Sequence, residues 1–414
     1  MKRIAGLLAA LLCLLVFNGS LAHAEEGELL TVYVAKKIIT MEPSWPEGRA
    51  IAVRDGRIVS IGRSLKDLAP WLDRYPHRID TTFRNKILMP GFVEPHLHPL
   101  LGALILPSVF ATPDDWTLPR GPSPGVRSKQ AFLERVSQNH ELLEDPAEWL
   151  FVFGYNLASH GEVTRADLNA ISPARPIAIL SRSTHVTILN DEAIEIAEIT
   201  AELVQASGHG HDIDFAKGWF AEKGNMLFAL PRLRPYLLSP ERMTKGLEIL
   251  KGLLHANGVT TLHEPGSGIL SGGHPEVELE MISGVLDRDD TPFRTWLTPE
   301  ASMIAARLGG AEQALAYIEG LAGKGRGRIK FTHKKMKMLV DGSYVDQLAE
   351  YDFPGYIDGH QGLPITSYAD LERVGRVFWN AGYDLHVHTQ GDAAARKTVD
   401  LLASLQAQKR RLEG

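Results

Sequence analysis

Apolar positions along the second half of the chain recur with two periods, near 3.6 residues in longer stretches and near two in short ones between them. From Pro240 to Asn257 the residues Leu247, Leu250 and Leu254 share one helical face, and Gly258 stops the run. Val259–Glu264 then reads as a strand, and Phe293–Thr298 as another. Ala311–Leu321 predicts a helix with Leu315, Ile318 and Leu321 on its apolar face. Lys335–Val340 is a strand that runs into Asp341-Gly342-Ser343. Ser367 and Asp370 have the spacing of a capping box and open a helix that turns Leu371, Val374 and Phe378 inward, with Gly382 after it. Asp384–His388 is a further strand, followed by a helix from Ala393. Strands alternating with helices of this length predict βα units and a parallel sheet.

The first part of the chain has a different rhythm. Thr31–Val34 and Lys37–Thr40 are short β-branched runs. Ala50–Arg54 and Arg57–Ile61 flank Asp55-Gly56, the dipeptide that most strongly signals a two-residue hairpin. A small β unit therefore precedes the βα units. Residues from about 100 to 240 interrupt the pattern; within them Glu148–Gly154 and Pro176–Leu180 read as strands. His185 and Asn190 follow in S-R-S-T-H-V-T-I-L-N.

Between these parts lies Ile87–Pro99, I-L-M-P-G-F-V-E-P-H-L-H-P, a short apolar strand with a Pro-Gly turn that ends on His96 and His98. Residues two apart on a strand face the same side, so both imidazoles can reach one ion, or they form a surface pair. The polar residues at or near the other strand ends are His263 and Glu264, Lys337 with Asp341, and His386 and His388. Active sites of parallel barrels lie at those ends. His209, His211 and Asp212 sit among Ser, Gly and charged residues and read as a solvated loop.

Composition narrows the classes. The chain has 414 residues, 44% hydrophobic and 23% charged, with a formal charge of -6, which leaves no basic footprint for nucleic acid. Lys2 and Arg3, the apolar stretch Leu7–Phe17 and Ala22-His23-Ala24 have the form of a secretory leader, and the apolar run is too short to span a membrane. Residues 1–24 are therefore expected to be removed, and the protein to be exported, periplasmic or secreted. The single cysteine, Cys13, lies inside that leader, so the mature chain offers His, carboxylate and Lys chemistry without disulfides or thiolates.

The string MPGFVEPHLHP resembles the first barrel strand of the amidohydrolase superfamily, with Glu94 where that superfamily usually has Asp. The region around His185 is similar to the insertion of the amidohydrolase family 3 branch, which includes N-substituted formamide deformylase-like proteins. That branch has D-G-H followed by an Asn, whereas this chain has Ser183-Thr184 before His185. K-M-L-V-D-G-S resembles the fourth-strand text of the family, and L-H-V-H-T-Q-G-D its fifth. The resemblance implies an α/β fold, a TIM-type (β/α) barrel of the metal-dependent hydrolase kind. A small N-terminal β-sandwich portion at 25–86 precedes the barrel at 87–414, which carries the insertion. Five barrel strands are countable from Ile87 where a closed barrel has eight, so the barrel reads as truncated after the fifth strand.

The resemblance also implies a set of roles. His96, His98, Lys337 and His388 are the expected metal ligands, for a divalent metal, zinc by preference, in one or two ions. Lys337 is expected to be carboxylated by carbon dioxide and to bridge two metals, although a third solvent lysine beside Lys334 and Lys335 is the alternative. Lys337 and Asp341 are the expected catalytic residues. His185, His263 and Glu264 are the expected substrate-binding residues, with packing as the alternative for His185. The implied reaction is hydrolysis of an amide or formamide-like C–N bond in a small molecule by a metal-bound hydroxide. The alternative is a degenerate, catalytically incomplete barrel that binds metal or ligand. No nucleic acid and, after leader removal, no membrane is expected as partner, and the oligomeric state is left open.

Overall fold

The computed structural model describes residues 29–221, 224–344, 347–362 and 364–411. The leader read at residues 1–24 lies outside them. The chain divides into two compact units, up to Gly91 and from Phe92 onward.

The described part of the first unit is one sheet with strand order β3-β2-β1-β4, where β1 is Leu30–Ile39, β2 Glu47–Arg54, β3 Arg57–Gly62 and β4 His77–Asp80. A short β5, Ile87–Leu88, runs parallel to the end of β1. Asp55 and Gly56 connect β2 and β3 with φ of 50° and 69°, the left-handed pair that a type I′ hairpin needs. Alternating residues Leu30 and Val32 of β1 and Ala50 and Ala52 of β2 point to one face, which Leu68, Trp71 and Tyr75 cover. Among the described residues the cover is the helical segment 65–72 with Tyr75 just after it, and not a second sheet.

In the second unit, β6 (Phe92–Glu94) pairs in parallel with β15 (Val259–Ser267), and β15 with β16 (Arg294–Pro299). β19 (Lys335–Leu339) joins the end of β16 through a bridge between Glu300 and Lys337, and pairs in parallel with β20 (Asp384–His388). A short β18, Ile329–Phe331, lies against the earlier part of β16, with β17 (Gly325–Arg326) turning back on it. The described strands thus form a parallel run β6-β15-β16-β19-β20, with helices between successive members.

The helix Pro240–Ala256 shows why the intervening segments fold as they do. Ser239 accepts from the Arg242 amide, Pro240 occupies the first turn, and Met243, Leu247, Leu250 and Leu254 are buried. Gly246 lets this helix meet helix Pro99–Ile105 closely, since a Cβ there would stand 2.0 Å from the Ala103 carbonyl oxygen. At Ser367 the hydroxyl caps the Asp370 amide, while the Asp370 carboxylate returns to that hydroxyl at 2.6 Å rather than to the Ser367 amide of a full capping box.

Residues between the first and second βα elements build a sheet of their own, order β13-β14-β12-β11-β10-β7. Here β7 is Val109–Phe110, β10 Leu150–Tyr155, β11 Ile177–Ser181, β12 Val186–Leu189, β13 Ile213–Asp214 and β14 Trp219–Ala221; β8 (Trp116–Leu118) and β9 (Gly121–Ser123) form a separate hairpin. The central pair, β10 and β11, is parallel and buried at every position, which explains why its sequence is a continuous apolar run. Asn190 caps the following helix from within this core: its oxygen accepts from Ile177 and Ala193 amides and its nitrogen donates to Ser172 and Arg175 carbonyls.

Candidate active site

The C-terminal ends of the parallel strands gather the candidate residues. The Leu97 amide donates to the His263 carbonyl at 3.1 Å, so the segment after β6 stays beside β15 as it delivers His96 and His98. The two imidazoles lie edge to face, ring centres 5.4 Å apart. His386 stands edge-on to His96 at 5.1 Å, and its register partner on β19 is Lys337. His388 is in register with Leu339, one step further along the same pair.

Glu264 is 4% exposed and its Oε1 lies 2.7 Å from His98 Nδ1. A carboxylate accepts, so Nδ1 carries the proton and Nε2 is the lone-pair nitrogen, the orientation found where a carboxylate stands behind a metal-binding histidine. Glu264 is therefore turned onto His98 rather than toward a ligand. His263 has both ring nitrogens engaged: Nδ1 donates to the Pro95 carbonyl at 2.9 Å and Nε2 meets the Thr298 hydroxyl at 2.8 Å. It forms part of the wall of a cavity of about 330 Å³ that Thr298, Lys335, Asp384, Leu385, His386 and Val387 also line.

Lys337 is 1% exposed, unlike Lys334 just before β19 and Lys335 at its start, which are exposed. Burial pushes its amine down to about 8, against the pull of the Glu264 and Glu300 carboxylates. Burial first, and the Lys337 charge second, bring His96 and His386 down to about 4, and the same two causes lower His388. The imidazoles are thus neutral at neutral pH, the form in which a histidine offers a lone pair.

Asp341 is fully buried, and backbone amides occupy both of its oxygens. Gln390 N donates to Oδ1 at 2.9 Å, and Glu350 N and Gly391 N to Oδ2 at 2.9 and 2.8 Å. The carboxylate clamps the loop after β19 to the turn after β20. Gly391 is required there, because a Cβ would stand 1.9 Å from the Glu350 carbonyl oxygen. His388 Nε2 meets the Gln390 side-chain amide at 3.3 Å.

His185 reaches the site from the insertion. It lies in the turn between β11 and β12, near enough for its charge to act on His388. Ser183 Oγ accepts from the His185 amide at 3.1 Å, and Thr184 before it has φ of 68°. The structure therefore brings His96, His98, Lys337, His386, His388 and Glu264 together, leaves His185 in the insertion turn within electrostatic reach of His388, and places His263 in the wall of the adjoining cavity and Asp341 beneath a loop.

The sequence names His386 at its strand end without giving it a role, and does not single out Glu300. His386 shares its face with His388, as strand alternation requires. Glu300 follows β16, is 0% exposed, and caps helix Ala301–Leu308 by accepting from the Met303 amide. Its Oε1 is buried without a hydrogen-bond partner, and burial pushes the carboxyl up to about 7. An acid at the junction of a strand and a helix was the available signal; its neighbour Lys337 belongs to the next long strand.

The donor set is of the type a borderline divalent ion prefers, neutral imidazoles with buried carboxylates behind them. Among the described residues no three His, Cys, Asp or Glu side chains close on one point tightly enough to hold an ion. The donor that this leaves out is Lys337, which can ligate only after losing its charge.

Comparison with known proteins agrees with this architecture. The chain is 22% identical over 390 residues to the exoenzymes regulatory protein AepA of Pectobacterium carotovorum subsp. carotovorum, covering 90% of this chain and 76% of that protein. It is 25% identical over 164 residues to the protein LONG AFTER FAR-RED 3 of Arabidopsis thaliana, 39% of this chain and 25% of that one. Among solved structures, an uncharacterized metal-dependent hydrolase from Pyrococcus horikoshii OT3 superposes with a TM-score of 0.63 at 18% identity, covering 91% of this chain and 68% of the other. One from Pyrococcus furiosus gives 0.59 at 20% identity, covering 91% and 70%. The sequence profile described as the amidohydrolase family matches residues 83–414, the whole of the second unit and the strand that leads into it, and the chain accordingly belongs to the amidohydrolase family.

Proposed function

We propose that the protein is a metal-dependent hydrolase of C–N bonds in small amides or formamide-like compounds. The observation that carries this reading is Lys337: a lysine 1% exposed, with an amine lowered to about 8, among imidazoles held neutral at the ends of parallel strands. A lysine with no chemical task is rarely buried, because desolvating the ammonium costs several kcal/mol. The names of the two Pyrococcus hydrolases support a divalent metal, and zinc is among the ions that imidazole ligands suit.

His96, His98 and His388 would hold the ion, with Lys337 as its carbamate. Carboxylation needs the neutral amine, whose lone pair attacks carbon dioxide as a proton leaves nitrogen. At pH 7 an amine of pKa about 8 is neutral roughly 300 times more often than one at the model-peptide value. When bound, the ion would supply Lewis-acid polarisation of a carbonyl oxygen and acidify a water molecule. Glu264 holds His98 in the tautomer that presents Nε2, and His185 faces the pocket from the insertion as a substrate contact. Export of the chain after loss of residues 1–24 belongs to the same proposal.

The test is to prepare the chain with bicarbonate and zinc or manganese. Metal per chain and hydrolysis of a panel of N-formyl and N-acyl amines are then measured, before and after chelation. Chelator-sensitive release of amine supports the reading; metal-independent turnover sinks it. The second reading, a barrel that binds metal or ligand without turnover, draws on Asp341, whose oxygens are all occupied by backbone amides. Stoichiometric metal with no hydrolysis across the panel would favour it.

A further inference from the structure

The turn that carries His185 is held in a conformation its own sequence resists. Thr184 is β-branched, yet its φ of 68° lies in the left-handed region where a branched side chain is a real outlier. Such a residue persists only where the surroundings over-determine it, and outliers of this kind cluster at functional sites. The surroundings here are explicit. The Thr184 amide donates to the Ser181 carbonyl at 2.9 Å, and the Val186 amide to Ser181 Oγ at 3.0 Å. Ser181 Oγ and Ser183 Oγ lie 2.9 Å apart.

These contacts are local to the turn, and one comes from elsewhere. Asn225, 0% exposed on the π-helical turn Gly224–Ala229, donates through Nδ2 to the Thr184 carbonyl at 2.8 Å. Its Oδ1 accepts from the Thr187 hydroxyl, also at 2.8 Å. The one amide grips the residue before His185 and the second residue after it, using both ends of its side chain. Single π-helical turns inside helices are themselves concentrated at functional sites.

We propose that Asn225 is a positioning residue: by holding Thr184 in its left-handed conformation it fixes the direction of the His185 side chain on the next residue. The inference rests on the reading of His185 as a substrate contact only for its consequence, because the positioning itself requires no substrate. Without the Asn225 donor the Thr184 carbonyl loses its buried partner, and the backbone can relax to the extended region that threonine prefers. His185 then swings with it.

The experiment uses the full chain, free of metal, with ring-¹³C-labelled histidine observed by NMR. The His185 ring signal is assigned from its loss in His185→Gln. In Asn225→Ala that signal should move toward the position of His211, whose side chain is 71% exposed. The His160 signal should stay in place, since that ring is held by the Val126 carbonyl and the Asn156 amide in the same insertion. Adding Thr184→Gly to Asn225→Ala should return the His185 signal, because glycine adopts the left-handed conformation unaided. Should Asn225→Ala fail to fold, Asn225→Asp keeps the shape and the acceptor for Thr187 and removes only the donor; the same displacement is expected. An unmoved His185 signal, or a displaced one that Thr184→Gly does not restore, overturns the proposal. If His185→Gln leaves the KM of hydrolysis unchanged while the signals behave as expected, the substrate role of His185 falls and the positioning by Asn225 stands.

Discussion

The clearest division between a catalytic and an architectural role lies at Asp341, and replacing it by Asn decides between them. The carboxylate accepts three backbone amides in a site with no solvent exposure. Hydrogen bonds to a charged acceptor contribute about 1.5–3 kcal/mol each, and an orphaned buried amide costs about 1–3 kcal/mol. In Asp341→Asn the side-chain oxygen can replace Oδ2 and keep Glu350 and Gly391, while the new NH₂ confronts the Gln390 amide, donor against donor. One charged bond is lost and two become neutral, for a total near 3–5 kcal/mol. That is a large part of the 5–15 kcal/mol typical of a domain. Asp341→Ala would orphan all three amides and risks not folding, so Asn is the informative change. Urea unfolding of both forms, followed by circular dichroism, gives the difference; hydrolysis of the amide panel by the metal-loaded forms gives the chemistry. The expected outcome is a strongly lowered midpoint with residual activity in proportion to folded protein. A variant within about 0.5 kcal/mol of the parent that has lost about 10² or more in rate would refute the clamp and return Asp341 to proton transfer.

Other expectations can be measured directly. Glu264→Gln exchanges the charged acceptor behind His98 for a neutral amide that can also turn its NH₂ to Nδ1, and it should weaken zinc binding by about 10–100-fold in a competition titration; unchanged affinity would show that the pair orients nothing. Burial holds the His160 pKa below its unfolded value of 6.5, so its contribution is complete above that pH and is lost as pH falls toward the folded value. Unfolding of the metal-free chain between pH 7.5 and 5 should therefore show an acid limb that His160→Gln flattens by up to about 1.4 kcal/mol per pH unit, and an unaltered slope would contradict this. Amino-terminal sequencing of exported protein should begin at Glu25; an intact Met1 confined to cytoplasm would rule the leader out.

What the sequence made legible was whatever depended on neighbours along the chain. The Asp55-Gly56 turn and the helices starting at Pro240 and Ala311 lie where periodicity and capping put them. His96 and His98 lie beyond β6, which ends at Glu94, so strand alternation does not set their directions, although their ring centres come within 5.4 Å. The roles that needed a partner from another strand were less legible. Glu264 reads as a polar strand end, but its bond to His98 joins residues 166 positions apart. Glu300 is marked only as an acid at a strand–helix junction, and its neighbour Lys337 comes from the next long strand. Strand β15 continues through Pro265 and Gly266 to Ser267, past the point where the apolar pattern stops, because parallel pairing with Pro299 carries it on. In the insertion, β13 and β14 are two and three residues long, too short for any period to show.

The charges in the pocket define the condition under which it can take a cation. His96, His386 and His388 all have their protonation opposed by the Lys337 charge, and the carboxylates of Glu264 and Glu300 pull the other way on Lys337. An ammonium that repels a proton from three imidazoles repels a divalent ion about twice as strongly at the same places, since the Coulomb energy scales with charge. The pocket with Lys337 protonated is thus suited to neutral imidazoles and hostile to metal. Converting that amine to a carbamate exchanges one positive charge for one negative at the same buried position, and turns repulsion into ligation. On the proposed reading, the buried lysine is the residue on which the passage from an arrangement of histidines to a metal centre depends.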